Sequence, residues 1–232
     1  MRKIQTPFFI CNPKSYLYGE ESLKLALTAD ELALKYGVDI FFTAPYTDLA
    51  NIKAHTKYIR VTAQHMDPLL PGRGMGHVLP ESLKAAGVEA VFLNHAEHSL
   101  KLVDLVKTTK RAKDLGIITI ICADCIEEAK AIAKLKPDIL LCEPTALIGT
   151  GKTSDSHYVT QTVNSIKEID RNILVMEASG ITTGEDVYKM IMNGADGTGA
   201  TSGILKAPNK AKMLEEMVQA IAKAKKGREK MK

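Results

Sequence analysis

Short apolar runs alternate with stretches of helical period about eight times along the chain, and this alternation limits the fold more than any other feature. The runs are Phe8–Cys11, Ile40–Ala44, Ile59–Ala63, Ala90–Asn94, Ile117–Cys122, Ile139–Cys142 and Ile173–Met176. An eighth strand, Gly197–Thr201, is expected from spacing rather than composition. The seven runs are rich in Ile, Val and Phe and lack clean polar alternation. Strands buried on both faces of a parallel sheet read this way. Helical patterns fall between them at Glu20–Tyr36, Glu81–Ala86 after Pro80, Ser99–Leu115, Ile126–Leu135, Tyr158–Ile169, Gly184–Met192 and Lys210–Ala224. Ser99 is placed to cap its helix.

A repeated strand–helix unit with one sheet leaves an open doubly wound sheet or a (β/α)8 barrel. No G-x-G-x-x-G follows the first strand, as a dinucleotide-binding open sheet would need. Eight units favour the barrel, and 232 residues shared among eight is about 29 each. No Gly/Ser/Pro-rich linker interrupts them, so residues 1–232 are expected to form a single α/β barrel domain. At 45% hydrophobic and 25% charged residues, the chain is neither disordered nor a disulfide scaffold.

The net charge of +4 is concentrated at the C-terminus. From Lys223 onward, six Lys and Arg side chains face only Glu229, and a frayed basic tail is expected from about residue 223. Cys122 and Cys125 have C-x-x-C spacing, but no second ligand pair accompanies them, so no metal is expected. The N-terminus lacks an apolar signal core, and no run approaches a membrane span. A cytoplasmic protein with no nucleic-acid or membrane partner is the expectation.

In a (β/α)8 barrel, chemistry sits at the C-terminal ends of the strands. The first strand ends in Cys11-Asn12-Pro13-Lys14, and the fourth leads into Asn94-His95-Ala96-Glu97. The sixth leads into Glu143-Pro144, then Gly149-Thr150-Gly151-Lys152; the seventh and eighth run into Ser179-Gly180 and Thr201-Ser202. A dry carboxylate can take a proton from carbon beside a carbonyl. A neutral imidazole, an ammonium and an amide can stabilise the enediolate that results. Backbone N–H groups at tight turns can hold a phosphate. Gly149-Thr-Gly-Lys-Thr153 resembles the end of a nucleotide-binding loop, but Ala146 stands where its first glycine is required.

These motifs, taken together, resemble the triosephosphate isomerase family, and its shorter archaeal-type branch in particular. The likeness runs from about Phe8 to Ile221. It rests on Asn12-Pro13-Lys14, Leu93–Glu97, Glu143–Gly151, Ala63-Gln64-His65, Gly76–Glu81 and Gly180–Val187. The resemblance implies Glu143 as the base, His95 as the electrophile, Lys14 as the charge that offsets substrate and enediolate, and Asn12 as a hydrogen-bonding neighbour. Glu97 would pair with Lys14. Gly149, Gly180, Thr201 and Ser202 would grip the phosphate, with Ile148 in a lid over Thr145–Gly151. It further implies a step of glycolysis and gluconeogenesis, a small phosphorylated sugar as substrate, no cofactor, and a homo-oligomer, either dimer or tetramer.

The chain departs from the family's pattern at Met75, Ala96, Glu177-Ala178-Ser179 and Gly197–Thr201. Three readings follow. One is interconversion of dihydroxyacetone phosphate and glyceraldehyde 3-phosphate. The second is a paralogous isomerase of a short sugar phosphate such as a tetrulose phosphate. The third is a non-catalytic barrel that binds a phosphometabolite.

Overall fold

The computed structural model describes residues 3–144 and 155–230. Eight parallel strands close into a barrel in chain order: β1 Phe8–Cys11, β2 Ile40–Ala44, β3 Arg60–Ala63, β4 Ala90–Leu93, β5 Ile118–Ala123, β6 Ile139–Cys142, β7 Leu174–Met176 and β8 Gly197–Ala200. The helices are α1 Gly19–Tyr36, α2 Tyr46–His55, α3 Pro80–Ala85, α4 Leu102–Asp114, α5 Ile126–Ala133, α6 Ser156–Ile169, α7 Gly184–Met192, α8 Ser202–Leu205 and α9 Lys210–Lys230. The expected single-domain (β/α)8 barrel is therefore the fold.

Strand alternation sorts the buried side chains into two cores. Phe8, Ile10, Phe41, Phe92, Ile118, Ile120, Leu141 and Met176 fill the barrel. Phe9, Ile40, Phe42, Val61, Val91, Ile121, Leu140 and Val175 join the helices in the larger outer core. The barrel interior is crowded on one side, where the Phe8 and Phe41 rings meet edge-on at 5.4 Å. Its seam is accordingly thin. A Cβ at Gly197 would lie 2.3 Å from the Phe8 ring, and one at Gly199 would lie 2.5 Å from the Ile10 carbonyl oxygen. This explains why β8 lacks a strand-like composition: it pairs with β1 from Phe8↔Gly197 to Cys11↔Ala200, and larger residues would hold the two apart.

The N-terminal end of the barrel is tied by Arg60, which is fully buried. Its guanidinium donates to Asp39 Oδ2 at 2.8 Å and to the Lys3 carbonyl at 2.9 Å.

Three local expectations are corrected. Helix α2 has no counterpart in the sequence reading; Leu49 and Ile52 alone among its residues are buried, too few to show a helical stripe. Ser99 is not the cap of α4, which begins at Leu102, because the preceding residues form a turn in which the Leu100 N–H donates to Asn94 Oδ1 at 3.0 Å. The last helix, expected to end at Ala224, continues to Lys230. Ala224 is buried, and Arg228 donates to the carbonyls of Ile191 and Ala195, which ties the basic segment to the end of α7 and the start of β8.

Gly199→Ala places a methyl group against backbone, which cannot rotate away, and is expected to cost about 1–3 kcal/mol or more. Chemical denaturation of the variant beside the wild type measures this; an unchanged midpoint would contradict the seam geometry.

Candidate active site

Every described strand end singled out in the sequence opens into one cavity of about 610 Å³. Asn12, Lys14, His95, Glu97, Glu143, Gly180, Thr201 and Ser202 all line it. Ile148, Gly149 and the expected lid Thr145–Gly151 lie outside the described residues.

The turn after β1 is built around Asn12. Its Oδ1 accepts from the Lys14 N–H at 3.0 Å and from Thr43 Oγ1 at 2.5 Å. With the oxygen engaged, the Nδ2 hydrogens are the donors left for a ligand. Lys14 has φ +49°, a left-handed conformation unusual for a residue with a side chain. Its carbonyl accepts from Gln64 Nε2 at 2.9 Å, and its ammonium meets Glu97 Oε1 at 2.6 Å. The turn therefore aims Lys14 across the barrel mouth at the segment after β4.

That segment is braced by Asn94, also left-handed at φ +57°. Asn94 Nδ2 donates to the Cys122 carbonyl at 3.0 Å and to Glu128 Oε1 at 3.1 Å. The His98 N–H donates to the His95 carbonyl at 2.7 Å, and the His98 ring packs on His65 with centroids 4.2 Å apart. The Glu97 N–H donates to His95 Nδ1 at 3.1 Å. Nδ1 is thus the acceptor, and the neutral ring carries its proton on Nε2. Burial lowers the pKa of His95, and the charge of Lys14 lowers it further against the opposing pull of Glu97. The imidazole is neutral at physiological pH and presents an N–H donor.

Glu143 leaves β6 with its N–H bonded to the Ala123 carbonyl at 2.9 Å. Burial pushes its carboxyl up to about 7; Lys14 opposes the shift and Glu97 adds to it. A carboxyl poised there can both take and return a proton near neutrality. Burial also raises Glu97, but its hydrogen bond to Lys14, the Lys14 charge and His95 together hold it below the usual range. Of the two carboxyls, Glu143 is the one poised to exchange a proton near neutrality, and Glu97 is held as an anion by Lys14.

Gly180 has φ +68°, and the segment after it is locked by a capping box in which Thr183 and Asp186 satisfy each other's backbone N–H groups. Thr201 and Ser202 follow β8 at the start of the four-residue α8. Glu177, one of the departures just after β7, does not line the cavity, whereas its neighbours Met176 and Ala178 do. It is fully buried, and burial raises its carboxyl well above the usual range, with the charge of Glu143 adding to the effect. Sequence reasoning missed the braces Thr43 and Glu128 and gave Asn94 no bracing role, and it missed Lys206 and Lys210, which also line the cavity. The lysines follow the Thr201-Ser202 turn by a few residues, a spacing that could have drawn attention to them.

Barrel and mouth together define a (β/α)8 protein with a half-buried carboxyl and imidazole in one cavity at the C-terminal ends of its strands. The family model described as triosephosphate isomerase matches residues 7–221. Curated relatives carrying that name include one from Sulfurisphaera tokodaii, 35% identical over 226 residues (95% of this chain and 98% of the relative). Others come from Methanobacterium bryantii, 37% identical over 222 residues (94% and 98%), and Methanocaldococcus jannaschii, 34% over 217 residues (91% and 99%). The chain belongs to the triosephosphate isomerase family.

A carboxyl at about 7 predicts a dependence of rate on pH. Protonated Glu143 cannot accept a proton, so kcat/KM is expected to fall about tenfold per pH unit below about pH 7 and to level off above it. A pH–rate profile of the free enzyme tests this; a flat profile from pH 6 to 8 would remove Glu143 as the titrating base.

Proposed function

We propose that this protein is an aldose–ketose isomerase that interconverts dihydroxyacetone phosphate and glyceraldehyde 3-phosphate. The observation that carries the reading is the pairing of Glu143, raised to about 7, with a neutral His95 protonated on Nε2. The Glu143 carboxylate removes a proton from the carbon beside the carbonyl, and the C–H electron pair moves to form an enediolate. His95 Nε2–H donates to the oxygens and shuttles a proton between them. Lys14 and the Nδ2 group of Asn12 hold the negative charge that develops. Glu143 then returns its proton to the neighbouring carbon. Each group the sequence needs is a side chain of this barrel, and none is asked of a cofactor.

The phosphate is assigned to the side of the cavity formed by Gly180, Thr201 and Ser202; the family resemblance adds Gly149 and Ile148, which lie outside the described residues. Glu97 keeps Lys14 in place rather than reacting. The relatives, named triosephosphate isomerase, favour the triose phosphates over a tetrulose phosphate and over a barrel without catalysis.

The working state is a homo-oligomer, dimer or tetramer. Tyr16, Tyr18, Leu70, Met75, Leu102 and Val103 are exposed, Met75 entirely so, and are available for burial between copies of the chain. Among the described residues no helix is long and apolar enough to cross a membrane, which accords with a cytoplasmic site of action.

Glu143→Gln keeps shape and hydrogen bonding but cannot accept the proton. It is expected to lower kcat by about 10³-fold in a coupled assay on glyceraldehyde 3-phosphate. Turnover within tenfold of wild type would overturn the assignment. Light scattering in solution is expected to give two or four times the chain mass, and a single-chain mass at micromolar concentration would refute the oligomer.

A further inference from the structure

The charges around the cavity are unevenly placed. Its acidic groups, Glu97 and Glu143, follow β4 and β6. Lys14 is already paired with Glu97 at 2.6 Å. On the β8 side stand Lys206 and Lys210, both exposed and both lining the cavity beside Thr201 and Ser202. Among the described residues neither ammonium takes part in a salt bridge or hydrogen bond. Several other lysines here are paired, as Lys53 is with Glu89 and Lys167 with Asp196.

The backbone carrying the two lysines is held in place. The Leu205 N–H donates to the Thr201 carbonyl at 3.0 Å and the Lys206 N–H to the Ser202 carbonyl at 2.9 Å. The Lys212 N–H donates to Asn209 Oδ1 at 3.0 Å, which fixes the turn before α9. Two uncompensated cations are therefore anchored at one side of a cavity whose opposite walls supply the carboxylates.

We propose that Lys206 and Lys210 form a cationic mouth that captures the phosphate dianion of the substrate and orients it. The inference rests on the proposed isomerase reading and extends it by naming two residues that determine specificity for a dianionic sugar. A phosphorylated sugar carries its charge at one end and its carbonyl at the other. Cations on the β8 side draw the phosphate there and leave the carbonyl end toward His95 and Glu143. Charge lining one part of a cleft raises the local concentration of an oppositely charged substrate and its association rate, and the effect weakens with salt. The lysines act on capture, not on proton transfer, so their removal falls on KM.

The test compares Lys206→Gln/Lys210→Gln with Lys226→Gln/Lys230→Gln, which removes the same net charge from exposed positions on α9. Glyceraldehyde 3-phosphate kinetics are measured across an ionic-strength series, and inorganic phosphate binding is measured by calorimetry. The cavity pair is expected to raise KM and the phosphate Kd about five- to tenfold, keep kcat within about twofold and flatten the salt dependence. The remote pair is expected to change none of these, and Lys206→Arg/Lys210→Arg to restore them. KM and phosphate Kd within twofold of wild type in the cavity pair would overturn the proposal, as would equal shifts in the remote pair or a wild type that does not bind phosphate. A wild type without isomerase activity whose phosphate affinity still depends on the cavity pair would uphold the cationic mouth and reject the isomerase reading.

Discussion

Closure of the barrel between β8 and β1 is the constraint on which the site depends. The two strands approach because Gly197 and Gly199 leave room for the Phe8 ring and for the Ile10 backbone. The pairing continues past the strands, where the Asn12 N–H donates to the Ala200 carbonyl at 3.2 Å. That last bond sets the turn bearing Asn12 and Lys14 beside the turn bearing Thr201 and Ser202. Were the seam open, the Asn12–Lys14 turn and the proposed phosphate grip would belong to two edges of a sheet. Glycine is costly in a strand because it gives up backbone freedom and packs no side chain. Here that cost is offset by the ring and carbonyl it admits.

The same closure lets a few charges act on one another. Lys14 reaches across the mouth to Glu97, and its field lowers both His95 and Glu143. At His95, burial and Lys14 act in the same direction, so the ring is neutral. At Glu143 they oppose, and burial prevails. Glu97 limits how far Lys14 can depress the Glu143 carboxyl while keeping the ammonium in position. An imidazole that stays uncharged and a carboxyl near 7 thus come from one ion pair and two degrees of burial. The fixed anion, Glu97, is the most exposed of the groups in this web.

Much of the architecture was legible because its signals are local. Seven apolar runs coincide with β1 to β7 within a residue or so at their ends, since strands buried on both faces need uninterrupted apolar sequence. The helix at Gly184–Met192 was read with both ends correct, and its start is a side-chain capping box written in Thr183 and Asp186. Where the signal was not local, reading failed. Helix α2 buries too little to be periodic, Ser99 was displaced from its expected role by the Asn94 brace, and α9 outlasts its composition because Arg228 finds carbonyls on a distant element. Strand β8 was found by counting units, since its residues were chosen by the neighbour they must avoid.

By itself the sequence determined the barrel class, the strand ends and the polar side chains that stand there, because periodicity and short motifs are properties of neighbouring positions. Tertiary structure decided what those residues are chemically. The tautomer of His95 follows from an N–H two residues on, but its neutrality and the raised carboxyl of Glu143 follow from burial under strands far apart in the chain. The pairing of Lys14 with Glu97 spans 83 residues, and the convergence of Lys206 and Lys210 on the same cavity exists only once β8 meets β1. Desolvation and Coulomb interaction depend on distance in space, and distance in space is set by closure of the barrel.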